Sequence, residues 1–306
     1  MSSRSCAVLL GPGRSGTSLA MNLLGGVGLR VSHDLVAASA HNPSGHFEDR
    51  AIVKIQQRLL AGLAMSHFEP RPAHWRDVAV QQGTEASLRN ILTTEVQRDV
   101  AVWGFKDPRT CLTWPLWQDV CRAVDVEPRL VFCCRSATAV VSSLMRTYSM
   151  PQDIAEALYL FRTLHALEDV VEPWFFVQYE KWITEPVRQL SALADHCHVQ
   201  SNATSVEGAV RAGFRADLNR SAAAEDLPVS GVINEIDQLL GSFSGSSYEP
   251  DAIAGWCASV RRRLDDLAFI GAAVHRTTEA DRRPPRGWRA ARRQAALGVR
   301  WLRARE

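Results

Sequence analysis

Along this 306-residue chain, short continuous apolar runs alternate with segments whose apolar positions recur every three to four residues. The runs at 6–10, 100–105, 129–134 and 174–178 are rich in valine, phenylalanine and cysteine. Runs of that length with no polar alternation predict strands buried on both faces. Helical spacing predicts helices at 16–27, 49–63, 84–96, 116–124, 137–147, 154–171, 186–196 and 250–269. Strands that alternate with helices build a parallel sheet with helices on both faces, so the expected fold class is α/β with three layers. The stretch 32–48 has little periodicity and contains the turn signal Asn42-Pro43-Ser44-Gly45. Residues 201–248 are rich in Ser, Ala, Gly and Asp and predict loops and short helices. No internal repeat is present. The pattern gives one domain over 1–275 and a distinct tail over 276–306.

Composition narrows this modestly. Hydrophobic residues make up 46%, charged residues 22%, and the net charge is +2, as in ordinary soluble domains. No apolar run approaches the roughly 20 residues that span a bilayer. The apolar segment after Arg4 is too short for a signal sequence and runs directly into a glycine loop, so it predicts a strand. Seven cysteines, several of them within apolar runs, predict buried free thiols and a cytoplasmic protein rather than a disulfide framework. The tail carries ten arginines against Glu279, Asp281 and Glu306, which leaves the remainder net acidic. Such a segment either packs with its arginines solvated or touches an anionic membrane or acidic partner. An acidic body without a recognisable module argues against nucleic acid.

The chemistry begins at Gly11-Pro12-Gly13-Arg14-Ser15-Gly16-Thr17-Ser18. Strand, glycine-rich turn and helix start together are P-loop-like, a context in which backbone N–H groups cradle an anion. The Walker pattern nevertheless fails where it matters, because Thr17 stands in place of the lysine and the cation is Arg14. Such a loop suits a phosphate group better than a magnesium-bound triphosphate. A second segment ends an apolar run in Arg135 and places Ser143 eight residues later. On a helix that is about two turns, so arginine and hydroxyl can face one strand edge and hold a phosphate monoester.

Taken together, these segments resemble the sulfotransferases that use 3′-phosphoadenosine 5′-phosphosulfate (PAPS). The residues quoted above match that family's phosphosulfate loop, and Arg135 with Ser143 match its grip on the 3′-phosphate. The stretches from Asn42 to Asp49 and from Trp103 to Thr110 resemble its bacterial branch, and the run Gln178-Tyr179-Glu180-Lys181-Trp182 resembles the family's tyrosine–glutamate strand end. The resemblance covers roughly residues 5–197. It implies transfer of a sulfuryl group from PAPS to a hydroxyl of a carbohydrate or other small molecule, leaving adenosine 3′,5′-bisphosphate (PAP), with no metal. Gly13, Arg14, Ser15, Gly16, Thr17, Ser18, Arg135 and Ser143 would bind the donor. Arg14 and Lys106 would neutralise charge on the transferring group, and Glu48, or else His46, would take the acceptor's proton. Glu48 also has a simpler reading as a helix-start carboxylate, and Lys106 as an ion-pair partner of Asp107 or Glu48. The family's C-terminal Arg-Lys-Gly loop is missing, and Arg215 or Arg220 would have to replace it.

Two further signals point elsewhere. His196-Cys197-His198 cannot present three consecutive residues to one tetrahedral metal from a regular element. Asp107 mimics a Walker B aspartate, but no loop lysine accompanies it, so it reads as local structure. Trp75, Trp103, Trp114 and Trp117 are either stacking faces for an acceptor or core. The rival functions are a P-loop kinase or NTPase and a nucleotide-binding scaffold without chemistry.

Overall fold

The computed structural model describes residues 4–39, 42–65, 71–98, 102–169, 173–214 and 227–264. Four strands form one parallel sheet: β1 (Arg4–Leu10), β2 (Trp103–Lys106), β3 (Val126–Cys134) and β4 (Trp174–Gln178), in the order β2-β1-β3-β4. All three pairings are parallel. The chain leaves β1 towards β2 and then crosses back to β3, which makes the carboxyl end of β1 the topological switch point.

Alternation along the strands divides the interior into two cores. Ala7 and Leu9, Val131 and Cys133, and Phe175 and Val177 face one side, where they meet α1 (Thr17–Gly26), α9 (Pro186–His196) and α10 (Ala203–Gly213). Cys6, Val8 and Leu10, Leu130, Phe132 and Cys134, and Trp174 and Phe176 face the other. That side is covered chiefly by α4 (Thr84–Gln97), α5 (Thr110–Ala123), α6 (Ala137–Tyr148), α7 (Gln152–Glu168) and α12 (Pro250–Arg263). A period of two on a sheet buried on both faces produces this split directly. Trp103, Trp114 and Trp117 are fully buried and Trp75 nearly so, which makes them core.

The strand and helix order matches the sequence pattern, with instructive exceptions at the boundaries. α5 begins six residues before the expected start, because Thr110–Pro115 are buried as well as helical and so show no amphipathic stripe. Pro115 lies inside its second turn. The expected strand at 100–105 is β2, starting at Trp103. Two helices were not expected, α3 (Trp75–Gln81) and α8 (Lys181–Thr184), whereas α10 and α11 (Gly231–Gly241) are short helices of the kind expected within 201–248. α10 carries a capping box between Asn202 and Ser205, a signal the low-complexity composition hid. The tail 276–306, Arg215 and Arg220 lie outside the described residues. All seven cysteines are free and buried. Among the described residues no helix is long and apolar enough to cross a membrane.

The helix after the irregular 32–48 stretch, α2 (Arg50–Gly62), is capped by Asp49, whose Oδ1 accepts from the Ala51 and Ile52 amides at 2.7 and 3.0 Å. Asp49→Ala should therefore cost about 1 kcal/mol in urea unfolding. A loss within error of zero would show that the cap does not hold this end of α2.

Candidate active site at the carboxyl edge of the sheet

Every strand ends in a residue of interest at the same edge. β1 runs into the glycine loop, β2 ends at Lys106, β3 is followed by Arg135, and β4 by Tyr179. In an open parallel sheet this edge is where ligands bind.

The glycine loop is tight for identifiable reasons. Gly11 has φ +142, and a Cβ there would lie 2.7 Å from the Cys133 carbonyl oxygen and 2.8 Å from Ser15 Oγ. The Cys111 thiol sits against the same residue, accepting from the Gly11 amide at 3.3 Å and donating to its carbonyl at 3.4 Å. Burial pushes this thiol up to about 11, so it is a neutral brace. Gly16 caps α1 in the left-handed region with φ +94, and its Cβ would lie 2.7 Å from Tyr179 Cδ2. No side chain caps α1 and its first turn holds no acidic residue. By contrast, α6 begins against carboxylates: Glu180 Oε1 accepts from the Ser136 amide at 3.1 Å and Asp237 Oδ1 from the Ala137 amide at 2.8 Å. Of the two helix starts, only α1 offers its amides to an anion. Ser15 Oγ is buried without a hydrogen-bond partner, and the Cα of Gly13 faces open space. An orphaned hydroxyl beside an open glycine and an uncapped helix fits a bound oxyanion.

Arg14 joins this loop to the strand-end pair. Its backbone lies at φ +77, unusual for a residue with a side chain. Its Nε donates to Ser143 Oγ at 3.1 Å, and Arg135 Nη1 donates to the Arg14 carbonyl at 3.2 Å. Arg135 also stacks on the Tyr179 ring, with Cζ 4.1 Å from the centroid. Burial lowers the Arg135 guanidinium from its usual range, and Arg14 adds to that effect. Two guanidinium groups and a hydroxyl, from residues up to 129 apart in sequence, thus converge beside the amides of α1. Thr17 is buried, and Ser18 Oγ donates to the His46 carbonyl at 3.2 Å while accepting from Asn42 Nδ2 at 3.2 Å. The hydroxyl of Ser18 therefore ties the 42–48 loop to the glycine loop.

The second cluster lies across that tie. Lys106 Nζ is 2.8 Å from Glu48 Oε1, and both residues are buried. Because Asp49 caps α2, Glu48 is not a capping carboxylate, and the ion pair expected for Lys106 forms with Glu48 rather than Asp107. Asp107, wholly buried, accepts from the Arg109 amide at 2.9 Å, from Arg109 Nη1 at 2.8 Å and from Gln56 Nε2 at 3.0 Å. It is a structural brace for the turn after β2. His46 Nε2 lies 3.0 Å from Ser39 Oγ. Burial lowers its pKa; Glu48 opposes that shift, whereas Lys106, Arg14 and Arg109 reinforce it, so the ring is neutral at pH 7.

Arg215 and Arg220 apart, the site residues expected from sequence come to one edge, in two groups. Gly13 to Ser18, Arg135 and Ser143 form one, and His46, Glu48 and Lys106 the other. Sequence reasoning missed Cys111, Asp237 and the structural use of Arg109. Arg109 had a signal in the Lys106-Asp107-Pro108-Arg109 run, whereas Asp237 had none. His196 is used structurally: its Nε2 bonds the Leu130 carbonyl at 3.0 Å and its ring stacks on Phe175. Among the described residues only His165, Glu168 and Asp169 approach a metal-like grouping. Arg71 and Arg261 already occupy those carboxylates.

No family model and no curated protein matches the chain. Solved structures similar to it in shape include two sulfotransferase domains. One is a sulfotransferase domain from the Synechococcus PCC 7002 olefin synthase, with 15% identity, a TM-score of 0.45, and coverage of 85% of this chain and 97% of that one. The other is a sulfotransferase domain from the curacin biosynthetic pathway, with 13% identity, a TM-score of 0.43, and coverage of 83% and 90%. Likenesses this distant do not carry function.

The crowding at Gly16 gives a test of the loop. Gly16→Ala combines a left-handed backbone with a clash on Tyr179 and should destabilise the fold by at least about 1–2 kcal/mol in urea. Wild-type stability in this variant would mean that the Tyr179 contact is not a constraint.

Proposed function

We propose that the chain is a PAPS-dependent sulfotransferase acting on a hydroxyl of a carbohydrate or other small molecule. The observation that carries this reading is the convergence of Arg14, Ser143 and Arg135 on a glycine loop that lacks the Walker lysine. A nucleoside triphosphate needs that lysine and a magnesium site; a donor with a separate 3′-phosphate needs a second phosphate grip, which Arg135 and Ser143 would supply.

The residues present fit such a donor. The α1 amides, including that of Ser18, with Ser15 Oγ and the Thr17 hydroxyl would receive the 5′-phosphosulfate end, and Arg135 with Ser143 the 3′-phosphate. The donor supplies a sulfuryl group on a phosphate leaving group, transferred through a loose transition state by analogy with phosphoryl transfer. The sulfur–oxygen bond to the phosphate breaks as a new one forms to the acceptor oxygen, and the acceptor's proton passes to the protein. Arg14 and Lys106 would neutralise charge developing on the transferring oxygens and the leaving phosphate. Glu48 is the group we assign to the proton. Its carboxylate lies beside Lys106, so base and cation share one place, and it is not used for capping. The neutral His46 ring, with Nε2 engaged by Ser39, is the alternative base. Free buried thiols are consistent with a cytoplasmic setting.

Binding separates this reading from a kinase. PAP should raise the melting temperature and ATP with Mg²⁺ should not, and Arg135→Ala should weaken PAP binding by roughly 10-fold or more in calorimetry. Stabilisation by ATP–Mg²⁺ but not PAP would sink the proposal. PAP binding with no labelled sulfate leaving PAPS across a broad acceptor screen would favour a scaffold.

Glu48→Gln should reduce turnover by about 10² or more with PAP affinity little changed. Full activity in this variant would transfer the base role to His46.

A further inference from the structure

The Lys106–Glu48 pair poses a difficulty for the proposed reaction. At 2.8 Å the lysine is committed to the carboxylate, yet the transfer needs its charge on the moving group. Withdrawing one partner of a buried ion pair leaves the other uncompensated, which is strongly unfavourable. Some second cation must remain on Glu48.

Arg109 meets that requirement. Its Nη1 lies 3.9 Å from Glu48 Oε2, on the oxygen that Lys106 does not hold. Unlike Lys106 it cannot swing away. Asp107 Oδ1 accepts from both its amide and its guanidinium, and Asp107 Oδ2 accepts from Gln56. Gln56 is itself fixed by Thr110 and Thr113. Beneath the turn, the buried Arg162 donates to the Pro108 carbonyl at 2.6 Å. Arg109 Nε is a buried donor with no hydrogen-bond partner, so the guanidinium keeps unused capacity at this spot. Burial works against its charge, but Asp107 and Glu48 outweigh that, and its pKa lies above the ordinary value. The charged and titratable groups facing Glu48 are Lys106 from β2, Arg109 from the following turn, Arg162 from α7 and His46 from its own loop.

We propose that Arg109 is a positioning residue for the transfer, the fixed counter-ion that stays on Glu48 and holds it oriented while Lys106 turns to the transferring group. The division of labour is between a pinned cation and a mobile one, on the two oxygens of a single carboxylate. Its catalytic consequence rests on Glu48 being the base, whereas the electrostatic coupling between Arg109 and Glu48 does not.

The test is a carbon-13 NMR titration of the Glu48 carboxyl, assigned with Glu48→Gln, in the full chain without ligand. In Arg109→Gln the midpoint should rise by about one pH unit or more, because an opposite charge within a few ångströms has been removed. Arg109→Lys, which keeps the charge, should stay near wild type. In Lys106→Gln, with Arg109 intact, Glu48 should remain ionised at pH 7. That last variant gives an answer even if Arg109→Gln fails to fold. An unmoved midpoint in Arg109→Gln, or a protonated Glu48 at pH 7 in Lys106→Gln, would overturn the proposal. On the kinetic side, the acid limb of PAPS turnover should move to higher pH in Arg109→Gln while PAP affinity holds, a shift that a bracing role alone does not produce. If the titration shifts as expected but PAP does not bind, the sulfotransferase reading fails and the coupling stands.

Discussion

Parallel pairing of β1 between β2 and β3 is the constraint on which the site depends. Register places Leu10 beside Phe132 and Leu9 beside Lys106, so the three chains leave the sheet side by side. Gly11 then lies against the Cys133 carbonyl with no room for a side chain, and the loop must turn at once into α1. The same pairing brings Lys106 and Arg135 to either side of that loop. A one-residue slip in either pair would send alternate strand residues into the wrong core and carry these cations off the edge.

Around that edge the charges are arranged by how far each can move. Asp107 is saturated by Arg109 and Gln56, so the turn after β2 is rigid. Glu180 and Asp237 occupy the start of α6, and burial holds the Asp237 carboxyl above its ordinary value. The start of α1, by contrast, has no side-chain cap. Arg14 stands between the two groups, with a left-handed backbone that its contacts to Ser143 and Arg135 hold in place. Strain of this kind tends to sit where a ligand will later share the load.

Much of this was legible in the chain. The four apolar runs gave the four strands in order, because a strand buried on both faces has no polar positions to confuse the signal. Glycine spacing and the Arg135–Ser143 interval pointed to residues that the structure brings together at one sheet edge, since each follows from local backbone geometry. The late helices were harder. α10 and α11 lie in a stretch whose overall composition predicts short helices without fixing where they begin, and α5 is buried so completely in its first turns that its start carries no periodicity.

The sequence by itself determined the α/β order, the glycine turn and which residue types line its exits, because these depend on period, φ preference and neighbours a few positions away. Tertiary structure alone decided which carboxylate meets which cation. Glu48, Asp49 and Asp107 are chemically near-equivalent on the page, yet one faces Lys106, one caps α2 and one locks Arg109. Asp49 and Asp107 find these partners two or three residues away, whereas Glu48 meets a cation 58 residues away only when the helices close over the sheet and burial forces the two charges to pair.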